Sequence, residues 1–159
     1  MSTHPNAPAP PQELIDWFSS FPPFVYDPNA GIQSNFDRLA AQRQWGHKLK
    51  NKRWYECQKI AFAALYGDAT DASKLEKWQE LCREVHIMNP PPSITQCRKV
   101  LGSPNVRVNI VNLIDHRLTG VPVIRFPNYA TFRDYTKNRM FPREEAKEEG
   151  FLKALLRRL

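Results

Sequence analysis

The segment WGHKLKNKRW, residues 45–54, is the stretch of this sequence whose residue types most clearly suggest chemistry. Between its two tryptophans it contains lysines, an arginine and a histidine, and no acidic residue. Cationic side chains without neighbouring carboxylates attract phosphate groups. Two further basic residues, one before and one after the segment, lie about one helical turn away. The sequence therefore predicts a polyanion-binding surface made of Arg43, Lys48, Lys50, Lys52, Arg53 and Lys59.

A charged run of this kind is more often only a solvated turn between two helices, and the sequence leaves both interpretations open. Trp45 and Trp54 each border an apolar helical stripe, so we expect both in the core. Tyr129 and Tyr135 could stack on bases where their rings are exposed. A phosphate-binding surface is favoured if the run shares one face with a second basic set, namely Arg98, Lys99, Arg107, Arg117, Arg125, Arg133, Lys137 and Arg139.

Motifs typical of enzymes are missing from the sequence. It has no phosphate-cradling glycine loop, no nucleophile elbow and no HExxH motif. Asp115 and His116 could form an acid–base dyad, but adjacent residues of a helix point apart, so we expect a capped or exposed pair. We predict no catalytic residue. An enzyme with a dispersed site near His86 or His116 remains the second alternative.

The cysteines could in principle bind zinc. Cys82 and His86 are four residues apart and would share a helix face, and Cys57 and Cys97 could complete a tetrahedron. However, Cys82 and Cys97 fall on apolar stripes and no CxxC motif is present, so buried thiols are favoured. We predict neither a metal site nor a cofactor.

The overall composition indicates an ordinary folded protein. The chain has 159 residues, a formal net charge of +7, and fourteen prolines against six glycines, which predicts rigid, well-defined connections. The three cysteines cannot all pair, and no leader resembles a signal peptide. We therefore expect an intracellular protein, in the nucleus or cytoplasm. No apolar run is long enough to predict a membrane span.

Hydrophobic periodicity predicts an all-α fold. Residues 1–11 are proline-rich and are expected to form a disordered tail without secondary structure, and residues 12–159 to form a compact single domain of seven or eight short helices. Trp17, Trp78 and Leu155 are predicted core residues.

Helix boundaries are predicted from capping residues and glycines. Ser73 with Glu76, and Ser93 with Gln96, have the spacing of a capping box. The last helix is expected to begin at Pro142, with glutamates such as Glu144 and Glu145 early and basic residues late, in the order that suits the helix dipole. The remaining signals are Asn51 as an N-cap and Gly46, Gly67 and Gly102 as helix ends.

Two segments are ambiguous. In residues 106–118, the alternation of Val106, Val108 and Ile110 suits a strand, whereas apolar spacing through Leu113 suits a helix. The length of the segment and the following Gly120 favour the helix. The segment VPVIRF, residues 121–126, is predicted to be either a short strand or simply extended.

Several motifs resemble those of a family of short fungal proteins of unknown function. They are FPPFVYDP, LEKWQELCREVHI, PSITQCRK, VNIVNLID, GVPVIRF and the closing FPREEAKEEGFLKALLR. The resemblance covers about residues 15–159. It implies a recurrent compact fungal domain, and no catalytic residue carries over from it.

Together these features predict a non-enzymatic, basic, helical binding module that binds nucleic acid through a lysine and arginine surface. The alternative is a protein-interaction domain in which the basic residues only maintain solubility, or attract an acidic protein partner. The sequence predicts no membrane partner, and it does not specify an oligomeric state.

Overall fold

The computed structural model describes residues 9–142 and 148–157. Within these ranges it contains eight α-helices, a short 3-10 helix over Asp71–Ser73, and no β-strand, which confirms the predicted all-α class. The helices are α1 Gln12–Ser19, α2 Ile32–Arg43, α3 His47–Tyr66, α4 Leu75–Glu84, α5 Ile94–Leu101, α6 Ile110–Thr119, α7 Tyr129–Thr136 and α8 Gly150–Leu155.

The chain divides into two compact units, each built from two stretches of sequence. Unit 1 contains the chain up to Leu65 together with Val111–Pro122, and unit 2 contains Tyr66–Ile110 together with the chain from Val123 onward. The single domain over residues 12–159 stays a prediction. Residues 1–8 of the expected tail lie outside the described residues, and α1 begins directly after Pro11.

The core of unit 1 is aromatic. Phe18 from α1 and Phe36 from α2 are each 1% exposed. The prediction that Trp17 is buried is wrong, because its side chain is only half-buried. The Trp17 ring lies at the edge of the core, 5.0 Å from the rings of Phe18 and Phe21 and 6.2 Å from that of Phe36.

The core of unit 2 is organised around Trp78, which is completely buried, as predicted. Its indole N–H donates to the carbonyl of Ala72 at 2.8 Å, and its ring lies 4.6 Å from that of Phe151. Leu155 is also completely buried, as predicted. Helices α4 and α8 are therefore in contact through Trp78 and Phe151.

Of the two serines predicted to cap helices, only Ser93 does so. The Ser93 hydroxyl accepts from the Gln96 N–H at 3.2 Å, and α5 ends before Gly102 as expected. Ser73 does not cap α4, because it belongs to the 3-10 helix and donates its hydroxyl to the Thr70 carbonyl at 2.6 Å. Ser73 lies in the tight turn before α4, and Lys74 occupies the N-cap position of that helix.

The ambiguous segment 106–118 is helical only in its second part. Residues 106–109 have no regular secondary structure, and α6 begins at Ile110. The buried Asn109 amide donates to Thr136 Oγ1 at 3.1 Å and to the Arg139 carbonyl at 3.0 Å, which holds the part before α6 in place. Residues 121–126 form no strand, and the Phe126 N–H donates to the Arg107 carbonyl at 2.9 Å.

The last helix begins later than predicted. Pro142 is not helical, and α8 starts only at Gly150. Glu149 is extended and Gly150 has φ +59°, a left-handed conformation that interrupts any helix arriving from before it. The predicted helical residues 143–147, including Glu144 and Glu145, lie outside the described residues.

Arg157 lies just after α8, and its role is structural. Its guanidinium is largely buried, and burial, followed by the positive charge of Arg107, lowers the pKa of this group. It binds the carbonyl-rich ends of two helices, where a cation is favoured by the helix dipoles. The acceptors are the backbone carbonyls of Leu101, Ser103, Val106, Ala154 and Leu156.

Among the helices in the described part of the chain, none combines the length and the apolar character needed to cross a membrane.

Candidate nucleic-acid interface

The basic run forms the start of a helix rather than a turn. Gln44 has φ 55° and closes α2 in a left-handed conformation, and α3 begins at His47. The first helical hydrogen bond runs from the Lys50 N–H to the Gly46 carbonyl at 2.8 Å. The residue that ends α2 is therefore Gln44, two residues before the predicted Gly46. The prediction of Asn51 as an N-cap is wrong.

Aromatic rings hold α2 and α3 together on either side of this turn. The Phe36 ring of α2 lies 5.9 Å from that of Trp45 and 4.9 Å from that of Trp54. Trp54 is buried, as expected, whereas Trp45 is half-buried. The turn between the two helices is thus packed against the core of unit 1.

The beginning of α3 is exposed to solvent. Residues 46–52 are all exposed, which is about two helical turns. Leu49, an apolar residue, is 39% exposed in this segment. From Trp54 onward one side of the helix is buried through Cys57, Gln58 and Ala61. Helix α3 therefore has an anchored part and an exposed basic part.

One side of α3 carries a row of cationic and polar side chains. Because positions separated by three or four residues share a helix face, five residues lie in this row, which we call the α3 face. Its N-terminal three members are exposed and its last two are half-buried. Glu56, four residues after Lys52 and three before Lys59, borders this face and is paired with Arg53. The Nζ of Lys59 lies 5.4 Å from the ring centroid of Tyr55. The α3 face consists of Lys48, Asn51, Lys52, Tyr55 and Lys59.

Arg43 and Lys50, also predicted as binding residues, lie off the α3 face and contact the protein. Arg43 is exposed, but its guanidinium donates to the Pro22 carbonyl at 3.2 Å and lies 5.3 Å from the Phe21 ring. Lys50 is exposed and lies 3.5 Å from Asp37 Oδ1. Lys50 is two residues from both Lys48 and Lys52, so it lies on the side of α3 opposite to the α3 face.

The prediction that Arg53 is exposed is wrong. Its guanidinium is half-buried, 2.9 Å from Glu56 Oε1, and 5.7 Å and 6.0 Å from the rings of Phe21 and Trp45. Glu56 neutralises this arginine, and the ring contacts hold it on the protein. Arg53 therefore has a structural role.

The second basic set is largely occupied with the fold. Arg117 belongs to unit 1 and donates to the Leu65 carbonyl. In unit 2, Arg125 donates to the carbonyls of Val85, His86 and Asn105. That the two sets share one face stays a prediction.

The tyrosines of α7 differ in their exposure. Tyr129 is 43% exposed, with the Arg133 guanidinium 6.0 Å from its ring centroid. Tyr135 is half-buried, and the Arg139 guanidinium lies 4.0 Å from its ring centroid. Of this pair, Tyr129 therefore offers the more open ring.

The Asp115–His116 pair serves the fold of unit 1. Asp115 Oδ1 accepts from the Ile32 N–H at 2.8 Å and so caps the start of α2. A Cβ atom on Gly31 would lie 2.7 Å from Asp115 Oδ2, so glycine is needed there. His116 Nδ1 lies 2.7 Å from the Val121 carbonyl, consistent with a ring that donates to the backbone.

We expect Asp115→Ala to lower the free energy of unfolding by about 0.5–2 kcal/mol, the usual range for removal of an N-terminal helix cap. The Ile32 N–H would lose its acceptor at the start of α2. Urea denaturation followed by circular dichroism measures the change. Asp134→Ala, at an exposed position of α7, should leave stability nearly unchanged; equal destabilisation by both variants would contradict the capping role.

The three cysteines are buried free thiols, as predicted. Burial raises the pKa of Cys57 well above its usual value, and burial together with Cys97 raises the pKa of Cys82 to about 12. Both groups therefore remain protonated at neutral pH and are poor nucleophiles. Within the described residues, no three side chains of His, Cys, Asp or Glu come together as a metal site.

Comparison of the chain with protein families, with curated proteins and with solved structures finds no match. The resemblance to a fungal family therefore stays a prediction.

Proposed function

We propose that this protein is a non-enzymatic binding module that holds nucleic acid on the α3 face. Lys48, Lys52 and Lys59 contact phosphates. The observation that carries the proposal is a row of three lysines that begins on a helix segment whose residues are all exposed.

The position of these lysines is unfavourable for the isolated helix. The N-terminal end of a helix carries partial positive charge, and acidic residues are preferred there. The first turn of α3 contains no acid, and Lys48 lies within it. A phosphate bound beside this end would compensate both the lysine charges and the helix dipole.

The second candidate function is binding of an acidic protein. The exposed Leu49, in the middle of the basic run, favours it because protein interfaces combine an apolar contact with charged surroundings. In either case the module acts by binding. We propose a nuclear or cytoplasmic location, where nucleic acids are accessible.

The experiment is to neutralise the face and measure affinity. The variant combines Lys48→Gln, Lys52→Gln and Lys59→Gln. It should bind fluorescently labelled nucleic acid about tenfold more weakly or worse at low salt, because three lysines no longer neutralise phosphates. Fluorescence anisotropy with duplex and single-stranded probes gives the dissociation constants.

The control variant carries the same reduction of charge elsewhere. This variant combines Lys74→Gln, Lys77→Gln and Lys153→Gln. All three residues belong to unit 2 and lie outside both basic sets. The control variant should bind nucleic acid nearly as tightly as the unchanged protein does. Equal weakening by both variants would show that only net charge matters. Wild-type binding weaker than about 10⁻⁴ M for every probe in low salt, the weak end of non-specific binding, would contradict the proposal and favour the protein partner.

A further inference from the structure

We propose that α2 and α3 act as a helix-turn-helix and that the α3 face enters the major groove of duplex DNA. This inference rests on the proposed function and specifies its ligand. It depends on the connection between the helices, on the dimensions of α3 and on the chemistry of the residues on its face.

The connection has the length of a helix-turn-helix. Three residues, Gln44–Gly46, join α2 to α3, and such motifs use a turn of three or four residues that often contains glycine. The Phe36 contacts with Trp45 and Trp54 fix α3 against α2. In this motif the second helix reads the DNA, and here the second helix is the one with the basic face.

The dimensions of α3 suit the groove. A helix with its side chains is about 10–12 Å wide, and the major groove of B-form DNA is about 12 Å wide and 8.5 Å deep. From Lys48 to Lys59 the α3 face extends about 16 Å along the helix. Residues 46–52 are all exposed, and the contact of Lys50 with Asp37 lies on the side of α3 away from the α3 face.

The residues of the α3 face can read base edges as well as bind phosphates. The Asn51 amide can donate to N7 and accept from N6 of adenine, as one bidentate pair, once its orientation places both groups correctly. Lysine can donate to O6 and N7 of guanine, and an apolar ring surface can contact the thymine methyl group. Asn51 is exposed, and Tyr55 lies one turn further along the same face.

Single-stranded nucleic acid fits this face less well. Proteins that bind single strands offer open aromatic rings on which successive bases stack. Tyr55 is half-buried and has the Lys59 ammonium group over its ring. Duplex RNA is also disfavoured, because its major groove is too narrow for side chains to read.

The test compares three probes of about two helical turns: duplex DNA with a random central sequence, the corresponding single strands, and duplex RNA. Fluorescence anisotropy with the full chain should show duplex DNA bound at least about tenfold more tightly than the other two. Methyl green, which occupies the major groove, should displace the protein, and distamycin, which occupies the minor groove, should not.

A second measurement isolates base reading. The tightest duplexes are selected from the random pool and measured with Asn51→Ala and with Asn138→Ala, an exposed asparagine in unit 2. Asn51→Ala should reduce discrimination between selected and random duplexes, and Asn138→Ala should not.

Preferential binding of single strands or RNA, or displacement by distamycin alone, would overturn the groove assignment while leaving the proposed function intact. Unaltered discrimination by Asn51→Ala would overturn the assignment of that residue. Absence of binding to all three probes would instead contradict the proposed function.

Discussion

We expect Trp78→Ala to lower the free energy of unfolding by about 3–5 kcal/mol, the range for removing a buried aromatic side chain. The side chain is completely buried, contacts the Phe151 ring and lies 5.3 Å below the Arg98 guanidinium. Its removal also leaves the Ala72 carbonyl without the indole donor. Urea denaturation followed by circular dichroism measures the decrease in stability.

Trp17→Ala serves as the matched control, because Trp17 is half-buried at the edge of the unit 1 core. Trp17→Ala should lower the free energy of unfolding clearly less than Trp78→Ala does. If the Trp78 variant keeps nearly the stability of the unchanged protein, the packing of α4 against α8 described above is wrong.

The second large effect is expected for Arg157→Met, which should lower the free energy of unfolding by about 3 kcal/mol, the upper part of the range for hydrogen bonds made by a charged group. The substitution keeps a long apolar stem but removes the donors that bind the carbonyls of Leu101 at the end of α5 and Ala154 in the last turn of α8. Thermal or urea unfolding measures this change.

Arg157→Lys tests the geometry of this interaction. An ammonium group is a compact charge, whereas the guanidinium presents a planar fork of donors, so lysine should recover only part of the stability. Full recovery by lysine would show that charge alone is needed. An Arg157→Met variant as stable as the unchanged protein would contradict the anchoring role.

Local patterns in the sequence predicted much of the fold. The apolar spacing around Trp78 and Leu155 predicted their burial, and the Ser93 spacing predicted the start of α5, because neighbours along one helix determine these features. Ser73 shows the limit of this approach. Its capping spacing is correct, but Ser73 belongs to the preceding 3-10 helix and the N-cap residue of α4 is Lys74.

Contacts between distant segments were not predictable in this way. Arg157 is among the basic residues predicted to lie late in the last helix, but its guanidinium binds carbonyls 56 and 51 residues away in the sequence. Likewise, α6 begins only at Ile110 because Asn109 is bound to α7 and the segment after it. Neither contact can be inferred from the local periodicity of the sequence.

The candidate site was predicted in part. The composition of the basic run identified Lys48, Lys52 and Lys59, but the expected turn hid the fact that these residues share a helix face. Placing the start of α3 at His47 brings Asn51 and Tyr55 into the same row. The left-handed conformation of Gln44 determines that start. Because glycine is the residue usually found in this conformation, a glutamine gave no indication of it in the sequence.

The salt dependence of binding tests the central claim most directly, that the lysines of the α3 face bind phosphates. For duplex DNA, the slope of log K against log salt should be shallower for the combined variant of Lys48, Lys52 and Lys59, by up to about 0.9 for each phosphate that a lysine no longer neutralises. The control variant of Lys74, Lys77 and Lys153 should keep the slope of the unchanged protein. Identical slopes for the two variants and the unchanged protein would contradict the claim.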